Sequence, residues 1–272
     1  MNIVFWSKAS GKGATSGNML AVSIMSSLVY SVKGILVQLD YCSRAIDDVF
    51  NNRKQTNLIM EEYAYYNQKG IDELLDKNQM KEIDVSDVRD NKIPVKNTYM
   101  SYLPTSKRIR SGVNEKEIVS ASKTLMSLLN QAGQYNFIDS VNGDRPVSRS
   151  LIKNADVVVI NICQGMNIDD IVKDKALMKK AVFLVGRYDE NSNENVAGIR
   201  KRYGIEKDSI GVIPYNIGFH DAIEEGKVVP YLIKHISARR TDENFAFINS
   251  VFRSAGMVLR KAGFDERLND VR

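Results

Sequence analysis

"SKASGKGATSGNML", residues 7–20, lies between the apolar run "MNIVF" and a second apolar stretch, "LAVSIMSSLVY". A strand that turns through glycines into a helix aims successive backbone N–H groups, and the positive end of the helix dipole, at one point. Phosphate is held at such points. Gly11, Gly13 and Gly17 permit close backbone approach, and Thr15 and Ser16 offer hydroxyls to a phosphate or to magnesium. The usual Gly-Lys-Thr ending is missing, because Gly13 is followed by Ala14. A glycine-rich turn alone can simply cap a helix, so the rest of the chain has to decide the reading.

Working outward, short runs rich in Val, Ile, Leu and Phe recur: "NIVF", "GILVQLD", "TYMSYLP", "YNFID", "ADVVVINI", "AVFLVGR" and "SIGVIPYN". Continuous apolarity without alternation predicts strands buried on both faces, as in a parallel sheet covered by helices, and hence an α/β fold. Helices are expected over 16–32, 58–67, 115–131, 169–179, 192–203 and 242–261, with 68–97 read as irregular crossover structure. The last helix places Phe245, Ile248, Phe252, Ala255, Leu259 and Ala262 on one apolar stripe facing the core. Asp40 and Asp139 close the strands "GILVQLD" and "YNFID". Both then fall at the carboxyl edge of the sheet, where ligands of such folds bind. Two carboxylates beside a phosphate loop suit magnesium and water.

At 272 residues, with 43% hydrophobic and 26% charged residues, the chain is expected to fold as one domain over 1–272. The run from Met19 to Tyr30 is too short for a bilayer and carries serines, so no integral membrane segment is expected. No signal peptide is read at the start, and two cysteines imply no disulfide framework, which together predict a cytoplasmic protein. The net charge of +5, from 38 basic and 33 acidic residues, reads first as a mixed solvated surface.

The order of loop, Asp-bearing second strand and "DSVNG" strand end resembles the MinD/ParA group of deviant P-loop ATPases, and within it the TadZ-type pilus-localisation proteins. The comparable family segments read K-G-G-x-G-K-T-T, D-x-D and D-T-x-x-G. The segments "LVGRYDENS" and "IPYNIGFHDAIEEGKVVPYL" carry the TadZ likeness most specifically. The resemblance implies a mostly parallel, doubly wound sheet flanked by helices, with ATP and Mg as cofactors and a homodimer. It assigns Gly11, Lys12, Gly13, Ala14, Thr15 and Ser16 to the phosphate loop, and Asp40 to the acid that orients the attacking water. Asp139 becomes the acid near magnesium, with Thr15 and Asp40 also near the metal. Gly143 becomes the second-switch glycine whose N–H meets the γ-phosphate, and Arg187 joins Pro214, Tyr215 and Asn216 among the nucleotide-binding positions. Asp40, Arg44 and Asp47 match the first switch.

The departures from the pattern bear on mechanism. Ala14 replaces the loop lysine, Ala9 the signature lysine, Gln38 the first acid of D-x-D, and Gly186 the base-reading Asn. A preorganised charge of that kind is worth roughly 10²- to 10³-fold in rate. Binding can persist on backbone amides, helix dipole and metal, whereas chemistry depends on placed charge. The expectation is an ATP-binding, dimerising localisation or assembly protein of a pilus, secretion or conjugation system, at most a slow ATPase, recruited from the cytoplasm to a membrane-associated complex. Lys8 and Lys12 are the nearby lysines available to substitute.

Two alternatives stand beside this reading: a nucleotide-free structural adaptor, and a partition-type ATPase binding DNA non-specifically. The local basic groups Lys107 to Arg110 and Arg239 with Arg240 bear on the DNA reading. Cys42 reads as an idle thiol, since neither His220 nor His235 is placed to activate it, and Cys42 and Cys163 lie far apart with no His spacing of the zinc type.

Overall fold

The computed structural model describes residues 1–40, 45–50, 70–105 and 115–265. The expected helix over 58–67, Cys42, Arg44 and the basic group Lys107 to Arg110 lie outside the described residues.

The apolar runs form β1 (Asn2–Trp6), β2 (Gly34–Gln38), β4 (Met100–Tyr102), β5 (Tyr135–Asp139), β6 (Val157–Ile162), β7 (Ala181–Tyr188) and β8 (Ile210–Pro214). They join one sheet in the order β3-β4-β2-β5-β1-β6-β7-β8, where β3 (Ile93–Pro94) was not expected. Every pair is parallel except β3 with β4. β1 lies in the middle, with Val4 opposite Ile138 on one side and Val158 on the other. Successive β1 side chains divide between two cores: Ile3 and Phe5 enter one, Val4 and Trp6 the other. That two-sided burial is why these strands read as continuous apolar runs.

Helices cover both faces. Thr15–Tyr30, Ile217–Glu224, Val228–His235 and Phe245–Lys261 pack on the Phe5 side. Glu115–Ala132, Pro146–Asn154 and Val196–Tyr203 pack on the Val4 side, with shorter helices beside them. The first helix is buried along most of its length, so its serines need partners. Ser26 Oγ donates to Val22 O at 2.7 Å and Ser23 Oγ to Leu20 O at 3.2 Å.

Several expectations are corrected. Residues 68–97 hold the helices Ile71–Met80 and Val85–Asn91, the second started by an Asp84/Asp87 capping box. The helix expected over 169–179 is two pieces, Asp169–Lys173 and Lys175–Lys180, because the Asp174 carboxylate accepts from Ala176 N and Leu177 N and starts a new helix. The helix expected from Ser192 begins at Val196, capped by Asn195. In the last helix Phe247, Val251 and Val258 are buried, whereas Phe252 is 41% exposed and stacks on Tyr30 at 5.8 Å. Among the described residues no helix is long and apolar enough to cross a membrane.

Candidate functional site

The loop leaving β1 is anchored from beneath by buried amides. Asn18 Nδ2, one turn into the first helix, donates to Gly13 O at 3.0 Å and to Asn161 Oδ1 at 2.8 Å. Asn161, on β6, donates onward to Val159 O at 3.1 Å. Space here is tight. A Cβ on Gly13 would lie 2.8 Å from Asn161 O, and one on Gly186 only 2.4 Å from Gly13 O. Gly186 is thus required by the backbone contact between β7 and the loop.

Above this support lies a cavity of about 200 Å³. The loop contributes Ser10, Gly11, Ala14, Thr15 and Ser16 to its walls, the end of β2 contributes Asp40, and β7 contributes Arg187. Asn142 joins them and ties the parts together. Its Oδ1 accepts from Thr15 Oγ1 and from Ser7 N, each at 3.1 Å, and its Nδ2 reaches Asp40 Oδ2 at 3.5 Å. Sequence reasoning passed over Asn142, Asn18 and Asn161, although Asn142 lies inside the quoted "DSVNG". Ala14, at the start of the helix, has φ 52° and ψ 38° and provides no side-chain cap.

Asp139 lies below the cavity, fully buried, with neither carboxylate oxygen in a formed hydrogen bond. Burial pushes its pKa up to about 8; the Ser16 hydroxyl beside it opposes that rise and the Asp40 charge adds to it. A buried carboxyl with spare acceptors next to Ser16 and Asp40 suits a hydrated divalent cation. Among the described residues no group of three His, Cys, Asp or Glu side chains is placed to hold a metal ion, and Thr15, Asp40 and Asp139 offer oxygen donors of the kind magnesium takes alongside phosphate and water oxygens. The donor set therefore fits magnesium brought in with a polyphosphate.

Other expected residues are placed differently. The Gly143 N–H donates to Ser7 O at 2.8 Å instead of facing the cavity. Lys12 is exposed and does not line the cavity, and Lys8 pairs with Asp170 at 2.7 Å. Pro214, Tyr215 and Asn216 do not line it either: Tyr215 is exposed, and Asn216 Oδ1 caps the helix Ile217–Glu224 by accepting from Phe219 N at 2.8 Å. Gln38, at the first-acid position, accepts from Ile46 N at 2.8 Å and Thr105 Oγ1 at 3.1 Å, an anchoring role. Asp47 accepts from Thr105 N at 2.9 Å, and its pKa is raised by burial.

A parallel, doubly wound sheet with a glycine-rich loop between its central strand and first helix defines the P-loop class of fold. No protein-family model matches the chain, and no curated protein matches it significantly in sequence. Solved structures do share the architecture. The chain is similar to a ParA family ATPase from Chlorobium tepidum TLS, with TM-score 0.66 and 11% identity over 93% of this chain and 96% of that one. It is equally similar to the septum site-determining protein MinD from Pyrococcus horikoshii OT3, complexed with Mg-ADP, at TM-score 0.66 and 13% identity over 97% and 98% of the two chains. A putative plasmid partition protein from Borrelia burgdorferi B31, bound to AMPPNP, gives TM-score 0.64 and 15% identity over 96% and 98%. The fold is that of the MinD/ParA P-loop ATPases.

Proposed function

We propose that this protein binds ATP with magnesium at the loop of residues 10–16, dimerises in response, and hydrolyses the nucleotide slowly or not at all. The observation that carries the reading is the meeting of the loop backbone, Thr15, Asp40 and Arg187 in one cavity above a buried carboxyl that has spare acceptors. Proteins sharing the fold were solved with Mg-ADP and AMPPNP, which supports the choice of ligand class. About 200 Å³ is small for a whole nucleotide, since ligand pockets run from about 300 Å³ upward, so the phosphates occupy the cavity and the base lies outside it.

In this reading the first helix and the loop amides bind the phosphate chain, Thr15 and Asp139 face the metal side, and Asp40, held by Asn142, orients water. Bound magnesium supplies charge neutralisation at the phosphate oxygens. Ala14 brings no charge to the transferring group, hence the slow chemistry. The sequence likeness to TadZ-type proteins supports a localisation or assembly role in a pilus, secretion or conjugation machine, with the switch segments after Asp40 and Asp139 coupling nucleotide to dimer and partner.

Thermal unfolding with and without Mg-ATP is the test. A ligand bound only by the native state adds about 2.7 kcal/mol at a hundred times its Kd, and Thr15→Val should remove that gain. Absence of any shift in the parent protein sinks the reading. It would favour the nucleotide-free adaptor, which has its own support in the engagement of Lys8 and of the Gly143 N–H by neighbouring protein groups. DNA retention that rises with ATP and falls steeply with salt would favour the partition reading, to which exposed Arg239 and Arg240 are relevant.

A further inference from the structure

We propose that Arg187 supplies, from the end of β7 beside the loop, the phosphate-binding charge that Ala14 lacks; this rests on the nucleotide reading above. Four independent features converge on the residue. β7 pairs with β8 through Gly186 opposite Ile213 and Tyr188 opposite Pro214, so Arg187 is the extra residue of a bulge, a device that re-aims a side chain beside a site. Its φ is 51°, in the left-handed region, where a residue with a side chain is strained and where such strain tends to mark function. The preceding Gly186 packs against Gly13 so closely that no Cβ fits between them, which brings the Arg187 backbone to the edge of the loop. The fourth feature is charge: Arg187 is the cation among the described residues that line the cavity, and it has no ion pair or hydrogen bond with another described residue.

The neighbouring cations are committed elsewhere or turned away. Lys8 pairs with Asp170 and Lys12 does not line the cavity, so neither substitutes for the loop lysine in this arrangement. The cavity's small volume indicates that what meets a side chain there is the phosphate chain and not the base. A guanidinium offers a planar fork of donors that pairs bidentately with phosphate oxygens. Anchored on a strand, it stays fixed to the sheet. It thereby serves ground-state binding, in keeping with a protein that retains ATP more than it cleaves it.

The experiment measures Kd by calorimetry for Mg-ATP and for Mg-tripolyphosphate, which has no base, in the full chain and in R187A, R187K, A14K and the A14K/R187A double variant. Arg187→Ala should weaken both ligands by the same factor, on the order of 10- to 100-fold. R187K should recover part of the loss, and A14K should restore ATP binding to the R187A background. Unchanged ATP affinity in R187A overturns the proposal. So does a loss for ATP with none for tripolyphosphate, which would put Arg187 on the base. If the parent chain binds neither ligand, the nucleotide reading itself has failed, and that outcome is separate from the other two. Equal unfolding midpoints for the parent and R187A without ligand establish that any loss of affinity is local.

Discussion

The loop of residues 7–18 has two sides built on opposite principles. Its underside is saturated: Asn18 and Asn161 bond to each other and to backbone carbonyls, and none of their buried polar atoms lacks a partner. On its cavity side Thr15, Asn142 and Asp40 are bonded to one another, but spare capacity remains: both Asp139 oxygens are unbonded, the helix start at Ala14 is uncapped by any side chain, and the backbone is left-handed at Ala14 and Arg187. Buried polar groups in proteins are ordinarily satisfied. A contrast this sharp across one loop separates scaffold from binding surface more reliably than residue type does, because both sides use similar polar residues.

The largest expected effect concerns Asp139, the most unsatisfied group on the cavity side. Its carboxyl has a pKa of about 8 in the folded protein against an ordinary 3.8. Between those values the unfolded chain loses the proton while the folded chain keeps it. Without ligand, this carboxyl's contribution to stability should therefore be fully present below pH 4, be lost at about 1.4 kcal/mol per pH unit through the window 4 to 8, and be absent above it. Asp139→Asn should remove this slope. Denaturant unfolding of both proteins across pH 4 to 9 provides the check, and an unchanged slope would mean that the carboxyl is not held neutral.

The saturated side is broken next. Asn161→Ala orphans one contact of Asn18 and leaves Val159 O without its side-chain donor. A loss of about 2 to 3 kcal/mol in unfolding free energy is expected, the penalty for unmade buried hydrogen bonds. Gly186→Ala forces a Cβ to within 2.4 Å of Gly13 O, so the loop or the strand must shift, at about 1 to 3 kcal/mol. Because that shift moves the loop against Arg187, Mg-ATP affinity should fall along with stability. Retained affinity in a destabilised G186A protein would show the two sides to be uncoupled.

Much of this architecture is legible in the amino-acid sequence. The buried strands announced themselves as unbroken apolar runs, and Asp40 and Asp139 fell at the sheet edge because each closes such a run. The short helices were hidden for local reasons. In 71–91, Ile71, Leu74, Leu75 and Val88 are too few to set a period, and in 217–235 Gly218 and Pro230 interrupt it. Their caps, Asp84 and Asn216, were the usable signal. Asn142 and the Asn18–Asn161 pair could not be read from spacing at all. Their partners lie 127 and 143 residues away, and only the sheet brings them together. Likewise nothing in "LVGRYD" reveals the bulge that turns Arg187 to the loop.

The smallest effect separates strain from contact on the cavity side. Ala14 occupies a left-handed conformation that its Cβ disfavours, and its side chain makes no cap for the helix it begins. Ala14→Gly relieves the steric cost but enlarges the conformational freedom of the unfolded chain, so the net gain in stability should be only about 0.5 to 1 kcal/mol. Differential calorimetry resolves a change of that size. Phosphate affinity should hardly change in A14G, since neither alanine nor glycine offers a charge and the loop amides keep their directions. If A14G instead lowers Mg-ATP affinity severalfold while raising stability, the strained backbone at residue 14 is itself part of the grip, and the unsaturated side owes its binding to loop rigidity as well as to Arg187 and the metal-facing carboxylates.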